Sequence, residues 1–277
     1  MNSDRSTVPP GPGPTASSLW FNAPMAETGT EARPPLLQAN AALYLDFDGT
    51  LAALAPHPAG VNIEDSLPAL LAGVRACLDG AVALVTGRSL AALDALTGLP
   101  RYAGAGLHGL EWRLAAGETH SAGNPAGASP IVQALRERFA ADPRLFIEDK
   151  GAAVALHWRQ APERAEEAVA AMNAIVTSPD FEIQLGHALV EARPRGADKG
   201  AAVRMLAAHA PFAGRRPVFV GDDVTDEDGF REAQAEGGDG VKVGDGATGA
   251  RYRVDSVGAV HAWLAASLAA LSRGAPG

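Results

Sequence analysis

A single cysteine in 277 residues means that no internal disulfide can form, which suits a reducing cytoplasm. Cys77 falls in an apolar helical pattern with Leu70, Leu71, Val74 and Leu78 and is expected to be a buried packing residue. The chain also lacks any run of roughly 18 apolar residues, so no membrane-spanning helix is expected. Its start lacks the basic residues and unbroken apolar stretch of a secretion signal. Basic side chains are scarce: 23 Lys and Arg stand against 32 Asp and Glu, a formal net charge of −9, and no segment concentrates them. A nucleic-acid partner, which needs a basic face, is thereby disfavoured, and any phosphate must be met locally. Periodic self-similarity is absent.

Apolar content is ample, with 47% hydrophobic and 20% charged residues, the composition of a soluble globular protein. Residues 1–38, with Pro9, Pro10, Pro12 and Pro14, read as a disordered leader. From Ala41 apolar strands alternate with amphipathic helices: strand 41–46, helix 66–79, strand 81–86, helix 89–97 and a short strand into Gly104-Ala105-Gly106. The alternation returns with helix 198–209, strand 217–220, helix 226–235, strand 240–243 and helix 257–271. Such alternation predicts an α/β fold with a parallel sheet shared by both halves. Between them the texture changes to hairpins at 145–158 and 181–192, with helices at 130–141 and 162–176, an α+β insert. The predicted division is a core of 39–108 and 194–273 with an inserted domain of 109–193 over the active edge of the sheet.

The chemistry concentrates in Asp46-Phe47-Asp48-Gly49-Thr50-Leu51, where an apolar strand delivers two carboxylates and a glycine turn. Side chains two apart on a strand share a face, and two acids held together call for a cation. Mg2+, which takes oxygen ligands and keeps positions open for water and phosphate, fits that need. A solvated Asp-Gly turn is the other reading of the hexapeptide. Three further signals follow at strand or helix ends: Thr86-Gly87-Arg88, Lys199, and the acidic run 222–228. Each alone has a bland reading, as a helix start, a solvated lysine or a charged first turn. Their joint occurrence in this order is the strong signal.

The four motifs resemble those of the haloacid dehalogenase superfamily of aspartate-nucleophile phosphohydrolases. The resemblance implies a Rossmann-like parallel-sheet core with an α+β cap inserted between the second and third motifs. It further implies that Asp46 is the nucleophile and that Asp48 is the general acid and base. Mg2+ would be held by Asp46, the main-chain carbonyl of Asp48 and Asp222. Thr86 and Lys199 would donate to the transferring phosphoryl group, with Asp223 and Asp226 orienting water and Lys199.

The insert adds polar pairs on strands, Glu191 with Arg193 and His157 with Arg159, and Glu148 and Lys150 flank a hairpin turn. They read either as solvated strand charges or as groups converging on a polyhydroxylated sugar. With DFDGTLA at 46–52, TGR at 86–88, GLHGLEW at 106–112, EDKGAAVALHWR at 148–159, EARPRGADKG at 191–200 and GDDVTDEDGF at 221–230, the chain is similar to the trehalose-6-phosphate phosphatase family over about 41–265. That similarity implies Mg2+-dependent hydrolysis of trehalose 6-phosphate, the last step of trehalose biosynthesis, by a cytoplasmic monomer with a small-molecule substrate. Glu148, Lys150, Arg159, Glu191 and Arg193 would hold the glucose unit away from the phosphate. His108 and Glu111 would sit at the junction of core and cap, and Arg88 near the phosphate. One departure is Pro162, where some relatives carry an amide that contacts sugar. A phosphatase for sucrose 6-phosphate or a glycosyl-phosphoglycerate, and a silent sugar-phosphate-sensing domain, are the competing readings.

Overall fold

A computed structural model of the chain describes residues 32–55, 60–99, 101–115, 117–121, 125–186 and 188–274. The apolar run opens the fold as β1 (Ala41–Leu45), buried at every position, followed by α1 (Leu67–Cys77), β2 (Val82–Val85), α2 (Leu90–Thr97) and β3 (Ala103–Gly106). Next come β4 (Glu111–Arg113), β5 (His120–Ser121), α3 (Pro125–Arg138), β6 (Phe146–Asp149), β7 (Val154–His157), α4 (Ala165–Ile175), β8 (Phe181–Gly186) and β9 (Leu189–Pro194). The chain ends with α5 (Lys199–Ala207), β10 (Arg216–Gly221), α6 (Glu227–Ala235), β11 (Asp239–Val243), β12 (Tyr252–Val254) and α7 (Val257–Gly274).

Two sheets result, an eight-stranded one in the order β12-β11-β10-β1-β2-β3-β4-β5 and a four-stranded one in the order β6-β7-β9-β8. In the large sheet β12 through β3 run parallel, and the central strands β1, β2 and most of β10 are buried apolar runs, as strands covered on both faces must be. On α1 the buried residues Leu67, Leu71 and Val74 recur at helical spacing. Its Gly73 lets α7 come close: a β-carbon there would stand 2.7 Å from a methyl of Leu268. Cys77 is half-buried, not buried as expected, with its sulfur 3.8 Å from the Ser272 hydroxyl. It lies at the last turn of α1, where the helix leaves the core.

The division of the chain also differs from the sequence expectation. β4 and β5 extend the core sheet as antiparallel strands, so the second sheet starts beyond them and not at residue 109. Leu107, His108 and Gly109 have φ of 51°, 56° and 102°, a left-handed reversal that brings Glu111 opposite Gly106. At the other end, residues 1–31 of the expected leader lie outside the described residues, whereas 32–38 are laid on the core. Leu37 is buried, its N–H donates to Ser267 Oγ at 3.2 Å, and Trp263 Nε1 donates to the Pro35 carbonyl at 3.0 Å. Proline-rich composition suggests disorder, but α7 supplies the partners. Helix α3 begins before Pro130, where the sequence reading starts it, since proline opens helices more often than it interrupts them.

In the second sheet, cross-strand neighbours share a face. One face carries Val154, Leu156, Val190 and Ala192, packed with Ile131, Leu135, Ala168 and Met172 of α3 and α4. The opposite face is polar, and one row across it reads Glu148, Ala155, Glu191, Gln184.

Candidate active site

Asp46 follows β1, Thr86 follows β2 and Asp222 follows β10, three neighbouring parallel strands whose carboxyl ends meet at one place. Phe47, between the two acids, is fully buried on the other side and contributes about 2 kcal/mol by leaving water. Gly49 closes the turn at φ 85°, where a β-carbon would lie 2.1 Å from Asp222 Oδ2, so glycine alone lets the first and fourth motifs touch.

Lys199 is the first residue of α5, whose N-cap Asp198 accepts from Ala201 N at 2.6 Å. Its buried ammonium donates to Asp46 Oδ1 at 2.7 Å and to Asp226 Oδ1 at 2.6 Å. Burial alone would lower its pKa, but the Asp226 and Asp46 carboxylates hold it above the ordinary lysine range. Asp226 Oδ2 accepts from the main-chain N–H groups of Asp222 and Asp223 at 3.0 and 2.9 Å, so both its oxygens are engaged. Lys242, a charged residue in a buried strand, donates to the main-chain carbonyls of Asp222 and Val243.

One cation does not satisfy this cluster. Burial, with Asp226 and Asp222 adding to it against Lys199, holds the Asp46 carboxyl well above the usual carboxylate range. Burial and then Asp226 push Asp222 up to about 7. Oxygens of Asp46, Asp222 and Asp226 lie within 4.8 Å of one another, and Asp222 Oδ1 is buried with no partner among the described residues. Because the Asp226 oxygens are taken, Asp46 and Asp222 are the side chains left to hold a hard divalent cation. Its fit rests on oxygen donors, excess negative charge and that orphaned oxygen.

Asp48 has a different partner. Both its oxygens are bound by Arg88, Nε to Oδ2 and Nη2 to Oδ1, each at 2.6 Å. Thr86 Oγ1 accepts from Arg88 N at 3.1 Å and sits behind the surface, 1% exposed.

A cleft of about 260 Å³ runs from these groups to the polar face of the second sheet. Of the residues singled out in the sequence, Asp46, Asp48, Arg88, Lys199, Asp222 and Asp223 line it at one end. His108, Glu148, Lys150, Arg159 and Glu191 line the rest. Glu191 Oε1 accepts from Lys150 Nζ at 2.9 Å and its Oε2 lies 3.0 Å from His108 Nε2. Burial would raise the Glu191 pKa, but Lys150 and then His108 hold it far below the usual range. Burial keeps the His108 ring below its ordinary pKa, against Glu191, which raises it. Burial would lower Lys150, and Glu191 and Glu148 hold it up. Arg159 Nη1 donates to the carbonyl of Ala55 in the core, joining cap to core.

Four expected site residues do not line the cleft. Asp226 stands behind Lys199, and Thr86 behind Arg88. The Glu111 carboxylate accepts from Leu90 N at the start of α2. Arg193 shares the polar face of β9 but turns to Glu182, which its Nε meets at 2.9 Å. Three polar lining residues were left unassigned: His157, 2.9 Å from Glu148 Oε2, Gln184 and Thr225. The alternation Phe181-Glu182-Ile183-Gln184-Leu185 places Gln184 on the polar face and could have found it. Leu54, Ala55 and Val61 also line the cleft, from a segment with no periodic signal.

The sequence pattern of the trehalose-phosphatase family matches residues 44–257. The trehalose-6-phosphate phosphatase of Escherichia coli (strain K12) is 43% identical over 243 residues, 87% of this chain and 90% of that protein. Among solved structures, the C-terminal domain of the Candida albicans trehalose-6-phosphate phosphatase superposes with a TM-score of 0.73 at 22% identity, covering 83% of this chain and 93% of that one. A haloacid dehalogenase-like hydrolase from B. subtilis superposes with a TM-score of 0.58 at 15% identity, covering 81% and 99%. At those identities the two structures speak for the fold, a haloacid dehalogenase-type core with a cap. The match over most of the chain, across the range that contains the residues of the cleft, makes this protein a member of the trehalose-phosphatase family.

Proposed function

We propose that the chain hydrolyses trehalose 6-phosphate to trehalose and phosphate through an aspartyl phosphate on Asp46. The observation that carries this reading is the single cleft shared by the Asp46–Lys199 pair and the polar face of the cap, with room for a phosphate at one end and hydroxyls at the other.

An oxygen of Asp46 attacks phosphorus, the bond from phosphorus to the sugar oxygen breaks, and Asp48 gives that oxygen its proton. Water then attacks phosphorus of the acyl phosphate, Asp48 takes a proton from it, and Asp46 leaves as the carboxylate. Lys199 has three N–H bonds and spends two on Asp46 and Asp226, which leaves one for a phosphoryl oxygen. Thr86 Oγ1 accepts from Arg88 N behind the cleft wall, and its O–H becomes available to the same group once Arg88 turns from Asp48 to the phosphate. The incoming phosphate competes with Asp48 for the Arg88 guanidinium, which frees Asp48 for proton transfer. When bound by Asp46, Asp222 and the carbonyl of Asp48, Mg2+ supplies the positive charge that offsets repulsion between carboxylate and phosphate. A reducing cytoplasm, in keeping with the lone cysteine, is part of the same proposal.

Asp46→Asn is the test. Phosphate release with Mg2+ present is expected to fall at least ~10³-fold while the protein stays folded, since an amide in place of the Asp46 carboxylate cannot form the covalent intermediate. Undiminished release would rule out the aspartyl-phosphate route.

A further inference from the structure

We propose that Gln184 reads the sugar, its side-chain amide hydrogen-bonding a hydroxyl of the bound sugar phosphate. The inference rests on the reading that the cleft takes a sugar phosphate, and it adds a residue that the motifs do not contain.

Gln184 lies in the middle of β8, directly across from Glu191 of β9, so the two side chains emerge on the same polar face. The charged members of that face answer one another. Glu191 is held by Lys150 and His108, and Glu148 by His157. Gln184 is different: it lines the cleft, and its Oε1 is buried with no hydrogen-bond partner among the described residues. A buried acceptor of this kind is stabilised when a donor arrives, and a sugar hydroxyl is such a donor. The amide also carries two N–H bonds, so it can both give to and take from a hydroxyl. Being neutral, it leaves the Lys150–Glu191–His108 chain undisturbed, whereas a carboxylate in its place would face Glu191 across the strand pair. It is the one side-chain amide among the described residues that line the cleft. A site built around a hydrogen bond to a hydroxyl discriminates strongly against ligands without one, because the site's own group is then left unpaired.

Gln184→Leu keeps a forked side chain one bond shorter and removes the polar atoms. Its kcat and KM are measured on the sugar phosphate that the wild type turns over best, and on phenyl phosphate, which has the phosphate and no sugar. The expected result is a KM about 10-fold higher on the sugar phosphate with kcat within about twofold, and unchanged constants on phenyl phosphate, the pattern of a lost binding contact. Equal loss on both substrates, or a sugar-phosphate KM within about twofold of wild type, would overturn the inference. The phenyl phosphate arm and the thermal midpoint also report folding. If the wild type prefers a sugar phosphate other than trehalose 6-phosphate, the substrate proposal fails while the role of Gln184 is still read on the preferred one. A wild type that cleaves phenyl phosphate and no sugar phosphate overturns both.

Discussion

Two aspartates two positions apart meet different cations, Asp46 the buried Lys199 and Asp48 the half-buried Arg88. That difference leaves Asp46 with one oxygen on a buried ammonium and Asp48 with both oxygens on a guanidinium that an incoming phosphate can draw away, although the sequence spells both with the same letter. Gly49 sets how close this turn comes to Asp222. Gly49→Ala would put a methyl into the Asp222 carboxylate and impose a left-handed conformation that costs about 1 kcal/mol. The expected outcome is a rise of at least ~10-fold in the Mg2+ concentration giving half-maximal activity, because one of the two carboxylates proposed to hold the cation is displaced. An unchanged Mg2+ titration would separate Asp222 from cation binding. Single residues of this kind were legible where chemistry restricts the choice: Asp46, Lys199 and Asp222 meet as read. Arg193 was not, since alternation fixes the face of a strand residue and says nothing of a neighbour such as Glu182.

Among the elements, the buried parallel strands were the most legible, because covered strands must be continuous apolar runs. The helix that delivers Lys199 was legible as the segment 198–209, and its N-cap Asp198 bonds Ala201 N. Short elements escaped. β4 and β5 have three and two residues, too few for a period, and what defines them is the left-handed reversal at 107–109 and pairing onto β3. The docked segment 32–38 escaped for a related reason. Its order comes from Trp263 and Ser267, more than two hundred positions away, and not from any local pattern.

At the scale of the whole molecule, cap and core are joined through buried charge. The His108–Glu191 contact and the Arg159–Ala55 hydrogen bond both cross from one to the other. Stability rises with pH wherever the unfolded chain binds more protons than the folded one. Glu191 is held below its ordinary value of 4.5, so its contribution is complete above that pH and is lost as pH falls toward the folded value. His108 is held below 6.5, so the unfolded chain takes up a proton that the folded ring refuses, and stability falls below that pH as well. Glu191→Gln is expected to cost about 3 kcal/mol at neutral pH, since it strands Lys150 in a buried site. The gap in thermal midpoint between wild type and variant should narrow as the buffer is taken below pH 4.5. A gap that stays constant into acid would mean that Glu191 is not ionised in the folded protein.

Substrate choice belongs to the same scale, because it needs the phosphate end in the core and the polar face of the cap at once. The most direct measurement is kcat/KM of the wild type, with Mg2+, on trehalose 6-phosphate beside sucrose 6-phosphate, glucose 6-phosphate and a glycosyl-phosphoglycerate. The account predicts that trehalose 6-phosphate is preferred by at least ~10²-fold, the discrimination that a few hydroxyl-reading hydrogen bonds supply. Equal or faster turnover of any of the others would contradict it.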